Sequence, residues 1–231
     1  MLPLRLAQIK KMLLPYRGVA DIGTDHALLP LELAQHPFWE EQKIIGIDPA
    51  SDPLEQGWKN LRQKGLEKRV ELRQGWGFDP LRPREVEQAV IAGLGGRKIV
   101  SIVDRGREKN PEIKHLFLQP QRDLLFLRRW LVQNGWAIVT ESIQWEKGHY
   151  YFFIRADWGC EERNYQDWEL EIGPQLLEKK SPLLVDYLEE KVQEFNGILQ
   201  KIGDKRPGHP REKYWEEKIR LFKGVQKWLL R

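Results

Sequence analysis

A doubly wound α/β sheet of five parallel strands with an antiparallel edge hairpin, followed by a C-terminal helical hairpin, is predicted by three observations. Short apolar runs of strand length alternate with segments of helical periodicity up to about residue 157. The first four runs stop at Asp, Gly or both, and the fifth stops at Gln119-Pro120. Beyond residue 173, two long apolar seams at helical spacing replace the strands.

The chain opens with Leu2, Leu4, Leu6, Ile9, Met12 and Leu13 near helical spacing, and Arg5, Lys10 and Lys11 fall between them. This reads as a short amphipathic helix whose basic residues form a solvated face by default. Gly18 to Ile22 is the first buried strand, and its tip, Asp21-Ile22-Gly23-Thr24-Asp25-His26-Ala27, bends over a ligand and runs at once into a helix that His36-Pro37 ends. Lys43 to Asp48 is a second buried strand that again stops at an acid. Asp52, Pro53 and Glu55 are spaced as a capping box at the head of a helix that Gly65 closes. Val70 to Arg73 and Ala89 to Ala92 are strands three and four, leading into Gln74-Gly75-Trp76-Gly77 and Gly93-Leu94-Gly95-Gly96. Leu116 to Gln119 is the fifth strand, followed by a helix from about Asp123 to Asn134. Trp136 to Ile143 and Tyr150 to Arg155 flank Glu146-Lys147-Gly148-His149, a hairpin signal.

Composition narrows the class. The chain has 231 residues, enough for one domain with a sizeable core plus an appendage. With 41% hydrophobic and 31% charged residues, a soluble globular protein is expected rather than a disordered one. No apolar run approaches the roughly 20 residues of a membrane span, and no signal-peptide pattern opens the chain. The single cysteine, Cys160, allows no internal disulfide, and no Cys/His cluster has zinc spacing, so a cytoplasmic protein without metal is expected. A net charge of +4 permits a polyanionic partner without requiring one. Most of the ten tryptophans are expected in the core.

In doubly wound sheets, ligands bind outside the carboxyl ends of the strands at the switch point, where this chain collects its acids and glycines. A nicotinamide dinucleotide would need three spaced glycines to cradle its pyrophosphate. The first tip instead has one glycine between two carboxylates, which repel a diphosphate and suit an ammonium or sulfonium. Asp48 follows Gly23 by 25 residues, near the offset of about 20 at which a second-strand acid meets ribose hydroxyls. A nucleoside with a cationic amino-acid tail satisfies both, and S-adenosylmethionine is such a molecule. Asp25 and His26 are also open to a purely structural role as helix-start or loop-anchoring residues.

Asp21-Ile22-Gly23-Thr24-Asp25-His26-Ala27, Ile91-Ala92-Gly93-Leu94-Gly95-Gly96 and Leu118-Gln119-Pro120, in this order and at successive strand tips, resemble the bacterial tRNA adenine-22 N1-methyltransferases, the TrmK group. The likeness covers about residues 4 to 156. It implies a Rossmann-like class I methyltransferase fold and transfer of a methyl group from S-adenosyl-L-methionine to N1 of an adenine in tRNA. It further implies cofactor contacts from Asp21, Gly23, Asp25, His26, Asp48, Pro49, Gly75, Trp76, Ala92, Gly93 and Leu94, and an acceptor side made by Asp25, Gly95, Gln119 and Pro120. N1 of a flipped adenine has a free in-plane lone pair, so positioning and electrostatics can supply most of the acceleration without a dedicated base. Gly93-Leu94-Gly95-Gly96 would admit a base ring close to the backbone, favouring a ring nitrogen over an amino group.

The chain departs from the family pattern at Leu28 (usually Tyr), Asp48 (Glu), Trp76 (Asp), Leu94 (Met) and Gln121 (Asn). Trp76 either stacks on the cofactor's adenine or alters and partly fills its pocket. Two other functions stay open: a degenerate member that holds RNA or a partner without turnover, and a methyltransferase for another substrate.

Residues 1–157 are expected to be the methyltransferase domain, and 158–231 a linker, Asp157 to Gly173, with a coiled-coil-like antiparallel hairpin. Ser181-Pro182 opens its first helix, with Leu184, Leu188, Val192, Phe195, Leu199 and Ile202 along one seam. A break at Gly203 to Pro210 precedes the second seam of Trp215, Ile219, Phe222, Val225 and Leu229. The hairpin either buries its own seam or serves as a tRNA arm through Lys205, Arg206, Arg211 and Lys213. A monomer is favoured.

Overall fold

The computed structural model describes residues 2–15, 17–160, 163–205 and 209–231. Seven strands form one sheet: β1 (Val19–Ile22), β2 (Ile44–Asp48), β3 (Glu71–Gln74), β4 (Gln88–Leu94), β5 (His115–Pro120), β6 (Trp136–Glu146) and β7 (His149–Trp158). Their spatial order is β3-β2-β1-β4-β5-β7-β6. The first five are parallel, and β7 runs antiparallel to β5. The winding therefore reverses between β1 and β4, which lie side by side with Ile22 opposite Ile91.

Strand residues alternate between two buried layers, which is why these strands read as continuous apolar runs. Ala20, Ile22, Ile45, Ile47, Ile91 and Leu118 pack with Ile99, Val103, Leu127 and Leu131, residues of α4 (Gly96–Arg107) and α5 (Leu124–Gln133). Val19, Ile44, Val90, Phe117 and Phe153 pack with Ile9, Leu29, Leu33 and Leu61 on the other face, from α1 (Leu4–Met12), α2 (Leu28–Ala34) and α3 (Ser51–Gln63).

The start of α3 has a different cause from the one its sequence predicts. Its N-terminus starts after Ala50, and Asp52 makes no capping bond to the backbone. The Ala50 N–H is instead held by Asp48 Oδ1 at 2.9 Å, so the acid ending β2 also organises the turn into the helix. The far end closes as expected at Gly65, φ 66°, where the Gly65 and Leu66 N–H groups donate to the Arg62 and Leu61 carbonyls, a Schellman arrangement. In the β6–β7 hairpin both turn residues, Lys147 and Gly148, have positive φ, 49° and 84°, as a two-residue type I′ turn requires. Both hairpin strands are longer than their apolar runs suggest.

The chain divides into two compact units: residues 1–142 with 151–175, and residues 143–150 with 176–231. In the first unit, the stretch expected to be a linker contains the end of β7 and a short helix, α6 (Asp167–Ile172), closed at its start by a Gln166–Glu169 capping box. Leu170 of α6 is part of the core that contains Leu127 and Leu131. In the second unit, α7 (Pro174–Glu178) overlaps the boundary, and α8 (Pro182–Lys205) packs against α9 (Arg211–Leu229). Phe195 touches Trp215 and Phe222, each at 5.1 Å between ring centres, and Leu184, Leu188, Ile219 and Leu229 are buried. Helix α8 continues through Gly203 and Asp204, so the break is shorter than its composition indicates. The Lys205 side chain and Arg206 lie outside the described residues.

Only two of the ten tryptophans, Trp39 and Trp136, are fully buried, which corrects the expectation that most are core. Among the described residues, no helix is long and apolar enough to cross a membrane, and no group of three His, Cys, Asp or Glu could hold a metal.

Candidate active site

At the end of β1 the chain turns at Gly23, φ 76°, and the Gly23 and Thr24 N–H groups donate to the Ile47 carbonyl of β2 at 2.8 and 3.1 Å. A single 3₁₀ turn, Asp25–Ala27, follows, with both His26 and Ala27 in the left-handed region. The loop is held from α3 as well, where Asn60 Nδ2 donates to the His26 carbonyl at 3.0 Å. These bonds leave Asp21 near the sheet and aim the turn outward.

Asp21 is 7% exposed and accepts a hydrogen bond from Thr24 Oγ1 at 2.7 Å. Burial drives its pKa up to about 7; the Thr24 bond opposes this, and the nearby Asp48 and Asp25 charges add to it. The tip of β2 is joined to that of β3, since the Gly75 N–H donates to the Asp48 carbonyl at 3.0 Å and Gln74 Nε2 to the Pro49 carbonyl at 3.1 Å. Gly75 leaves room for the Pro80 ring, which a side-chain carbon at that position would strike.

A cavity of about 400 Å³ opens over these tips. Of the residues expected to bind cofactor, Asp21, Gly23, Asp25, Asp48, Pro49, Gly75, Trp76, Ala92, Gly93 and Leu94 line it. His26 does not; its Nε2 lies 3.4 Å from Asp25 Oδ1. Trp76 forms part of the wall yet is 56% exposed, with Lys98 Nζ 5.4 Å from its ring centre, so it leaves the pocket open.

The acceptor-side expectations fare differently. Asp25 lines the cavity, whereas Gly95, Gln119 and Pro120 do not. Gln119 is fully buried and works beneath the surface: its Oε1 accepts from the Gly93 N–H at 3.2 Å, and its Nε2 donates to the Pro120 carbonyl at 3.1 Å. The space beside Gly95 and Gly96 is occupied by the chain itself. A side-chain carbon on Gly96 would sit 2.7 Å from the Asp123 carbonyl oxygen, and one on Gly95 2.9 Å from Arg122 Nε. Gly96 therefore lets the β5–α5 connection close over the start of α4, where its N–H donates to the Arg122 carbonyl at 2.9 Å, whereas the Arg122 side chain beside Gly95 is exposed and free to move aside. Gly96→Ala is expected to cost about 1–3 kcal/mol through forced backbone displacement, measured by chemical denaturation.

Several wall residues were missed. Thr24, Leu28 and Gln121 are in the wall next to predicted positions, and Arg5 and Lys98 reach it from α1 and α4. The resemblance described in the sequence analysis marks Leu28 and Gln121 as departures; for Arg5 and Lys98, helical spacing alone does not distinguish a cavity-facing cation from a solvated one.

Three carboxylates at the tips of β1 and β2 make one side of the cavity a receptor for a cationic ligand bearing hydroxyls. A family model described as tRNA (adenine(22)-N(1))-methyltransferase matches residues 19–224. The tRNA (adenine(22)-N(1))-methyltransferase of Bacillus subtilis is 26% identical over 214 residues, covering 90% of this chain and 89% of that protein. A Streptococcus pneumoniae protein crystallised in complex with S-adenosyl-L-methionine superposes with a TM-score of 0.86 at 27% identity, over 98% of this chain and 100% of that one. The M. capricolum TrmK structure in complex with S-adenosyl-homocysteine also gives 0.86, at 26% identity over 100% of both chains. With the family model spanning both sides of the switch point and the cavity lying where the resemblance requires, this chain belongs to the tRNA (adenine(22)-N(1))-methyltransferase family.

Proposed function

We propose that this protein transfers a methyl group from S-adenosyl-L-methionine to N1 of an adenine in tRNA, at position 22. The observation that carries the reading is the buried Asp21 sharing one cavity with Asp48 at the β1/β4 switch. A volume of about 400 Å³ is of the size that holds a nucleoside with a short tail.

The wall residues fit that cofactor. Asp48 receives ribose hydroxyls, Asp21 faces the amino-acid ammonium, and Gly75 with Trp76 borders the adenine. When bound, the cofactor supplies an electrophilic methyl on a sulfonium. Asp25, at the outer lip of the cavity, places a negative charge beside the reacting end. N1 of a neutral adenine has no proton to remove, so the chain's task is to orient and to exclude water rather than to act as a base. Gln119 contributes by fixing the Gly93 tip from below, which makes it a positioning residue.

We assign binding and transfer to the 1–157 segment, and to 158–231 the helical hairpin with its lead-in, offered as a tRNA arm through Arg211 and Lys213. The reaction is placed in the cytoplasm and the protein is read as a monomer.

The test is methyl transfer from labelled cofactor to unmodified bacterial tRNA, with mass spectrometry of the nucleosides. N1-methyladenosine at position 22 by primer extension, absent with Asp21→Ala, is the expected result. Cofactor binding without product on any tRNA would overturn the acceptor assignment, and absence of binding would overturn the cofactor site.

A further inference from the structure

The proposed reaction leaves one polar side chain at the cavity mouth without a task. Gln121, in the connection between β5 and α5, lines the cavity and is exposed to solvent, and its carboxamide makes no hydrogen bond among the described residues. Its backbone is fixed: the Gln121 N–H donates to the Leu94 carbonyl at 2.9 Å, and the preceding Pro120 is paired with Leu94 across the sheet. Gln121 Nε2 lies 3.8 Å from where a Cβ on Gly93 would be, while Gln119 Oε1 accepts from the Gly93 N–H from below at 3.2 Å. The carboxamide thus stands beside the tip of β4 with both its donor and its acceptor unspent.

The strand order β3-β2-β1-β4-β5 puts this end of the cavity farthest from Asp48, Gly75 and Trp76. With the nucleoside over β2 and β3 and the amino-acid tail at Asp21 on β1, the space at β4 and β5 is left for the acceptor base. The rim there suits an RNA strand. Arg97 and Arg122 are both exposed and share the single Asp123 carboxylate, each at 3.8 Å, so positive charge remains for a phosphate.

Building on the acceptor reading above, we propose that Gln121 reads the target adenine by its Hoogsteen edge, Oε1 accepting from the N6 amino group and Nε2 donating to N7. A carboxamide paired to the Watson–Crick edge would cover the N1 lone pair that has to attack the methyl, whereas the Hoogsteen edge leaves N1 free. As the N1–methyl bond forms and the electron pair of the sulfur–methyl bond returns to sulfur, positive charge moves onto the purine and its N6–H becomes a stronger donor. The bond to Oε1 therefore tightens in the transition state, where it lowers the barrier. Guanine presents two acceptors on the same edge, which a carboxamide with one donor end and one acceptor end does not match.

The experiment is a cycle between the Gln121 side chain and N7 of the base. Full-chain wild type, Gln121→Asn and Gln121→Met are assayed on tRNA whose position 22 holds adenosine or 7-deazaadenosine, which keeps N1 and the amino group and has carbon in place of N7. Circular dichroism and calorimetric affinity for S-adenosyl-L-methionine accompany each protein. On adenosine, Gln121→Met is expected to lose about 10- to 100-fold in kcat/KM, the usual worth of a bidentate base contact, with cofactor affinity held within about threefold. Gln121→Asn, one carbon shorter, falls between. Removing N7 is expected to cost wild type about 10- to 100-fold more than it costs Gln121→Met, a comparison in which the deaza ring's own reactivity cancels. Equal cost of the N7 deletion in both proteins would overturn the proposal. A fall in cofactor affinity matching the loss of turnover in Gln121→Met would also overturn it, by assigning the side chain to the cofactor. Failure of wild type to methylate adenosine at position 22 would remove the acceptor reading itself, an outcome distinct from turnover without coupling between Gln121 and N7.

Discussion

Between pH 7 and pH 5 the affinity for S-adenosyl-L-methionine is expected to fall by about tenfold per unit, because the proposed pairing with the ammonium needs an ionised Asp21, whose pKa is pushed up to about 7. Binding then takes up the cofactor and releases a proton. Above neutrality the curve turns over as the ligand's own α-amino group, with an ordinary pKa of about 7.7 to 8.0, loses its charge. Asp21→Asn should flatten the acid limb and weaken binding at pH 7.5 by about 10- to 100-fold, since Asn keeps the shape and can still accept from Thr24 but offers no charge. Calorimetry at half-unit pH intervals on both proteins checks this; an unchanged acid limb in Asp21→Asn would assign the titration to another group.

The same residue makes an opposite prediction for the free protein. Its folded-state pKa is raised, so between the unfolded value of about 3.9 and about 7 the native state binds more protons than the unfolded one. The stabilising contribution is fully present below about pH 4 and is lost as pH rises through 7. Asp21→Asn should therefore be more stable than wild type at pH 8, by on the order of 2 to 4 kcal/mol, with the gap closing toward pH 4. The residue proposed to hold the cofactor's ammonium thus weakens the unliganded fold.

Arg128→Met is expected to destabilise the first unit by about 3–5 kcal/mol. Arg128 and Glu141 are both buried and paired at 2.7 Å. The pair does more than neutralise itself: Arg128 donates to the Leu170 and Glu171 carbonyls at 3.1 Å, and Glu141 accepts from the Gln175 N–H at 3.0 Å. Removing Arg128 leaves a buried carboxylate and frees the end of α6. The double change Arg128→Met with Glu141→Leu should recover much of the loss, because no charge is then stranded. Urea denaturation of the three proteins decides it: if the double variant is no better than Arg128→Met, the carbonyl contacts to α6 and not the charge carry the effect.

What could be read from the sequence follows from what is local. Strands buried on both faces announce themselves as apolar runs, and Gly23, Asp48, Gly75 and Gly93 mark their tips because the chain must bend there. Gly65 closes its helix through bonds to residues three and five back, which needs no tertiary information. The start of α3 was misread because no side chain caps it; the turn leading into it is held by Asp48, a residue of the preceding strand. Helix α6 was missed because its apolar residues are few and its anchor, Arg128, lies about 40 positions away. Arg5 and Lys98 escaped for the same reason: a cavity gathers side chains from helices whose own periodicity records only which face meets the core. Gly96, read as leaving room for a base ring, also admits the β5–α5 connection, since a close backbone approach looks the same in sequence whichever partner approaches.

The division of the chain into two units also limits how such a protein can be taken apart. The path passes between the units three times, at 142/143, 150/151 and 175/176, so the second unit is not a tail added after the first. Ending the chain at residue 175 would leave the hairpin tip behind, with Tyr150 deprived of Tyr187 and Trp145 already 47% exposed. No single stop codon or protease cut yields either unit whole.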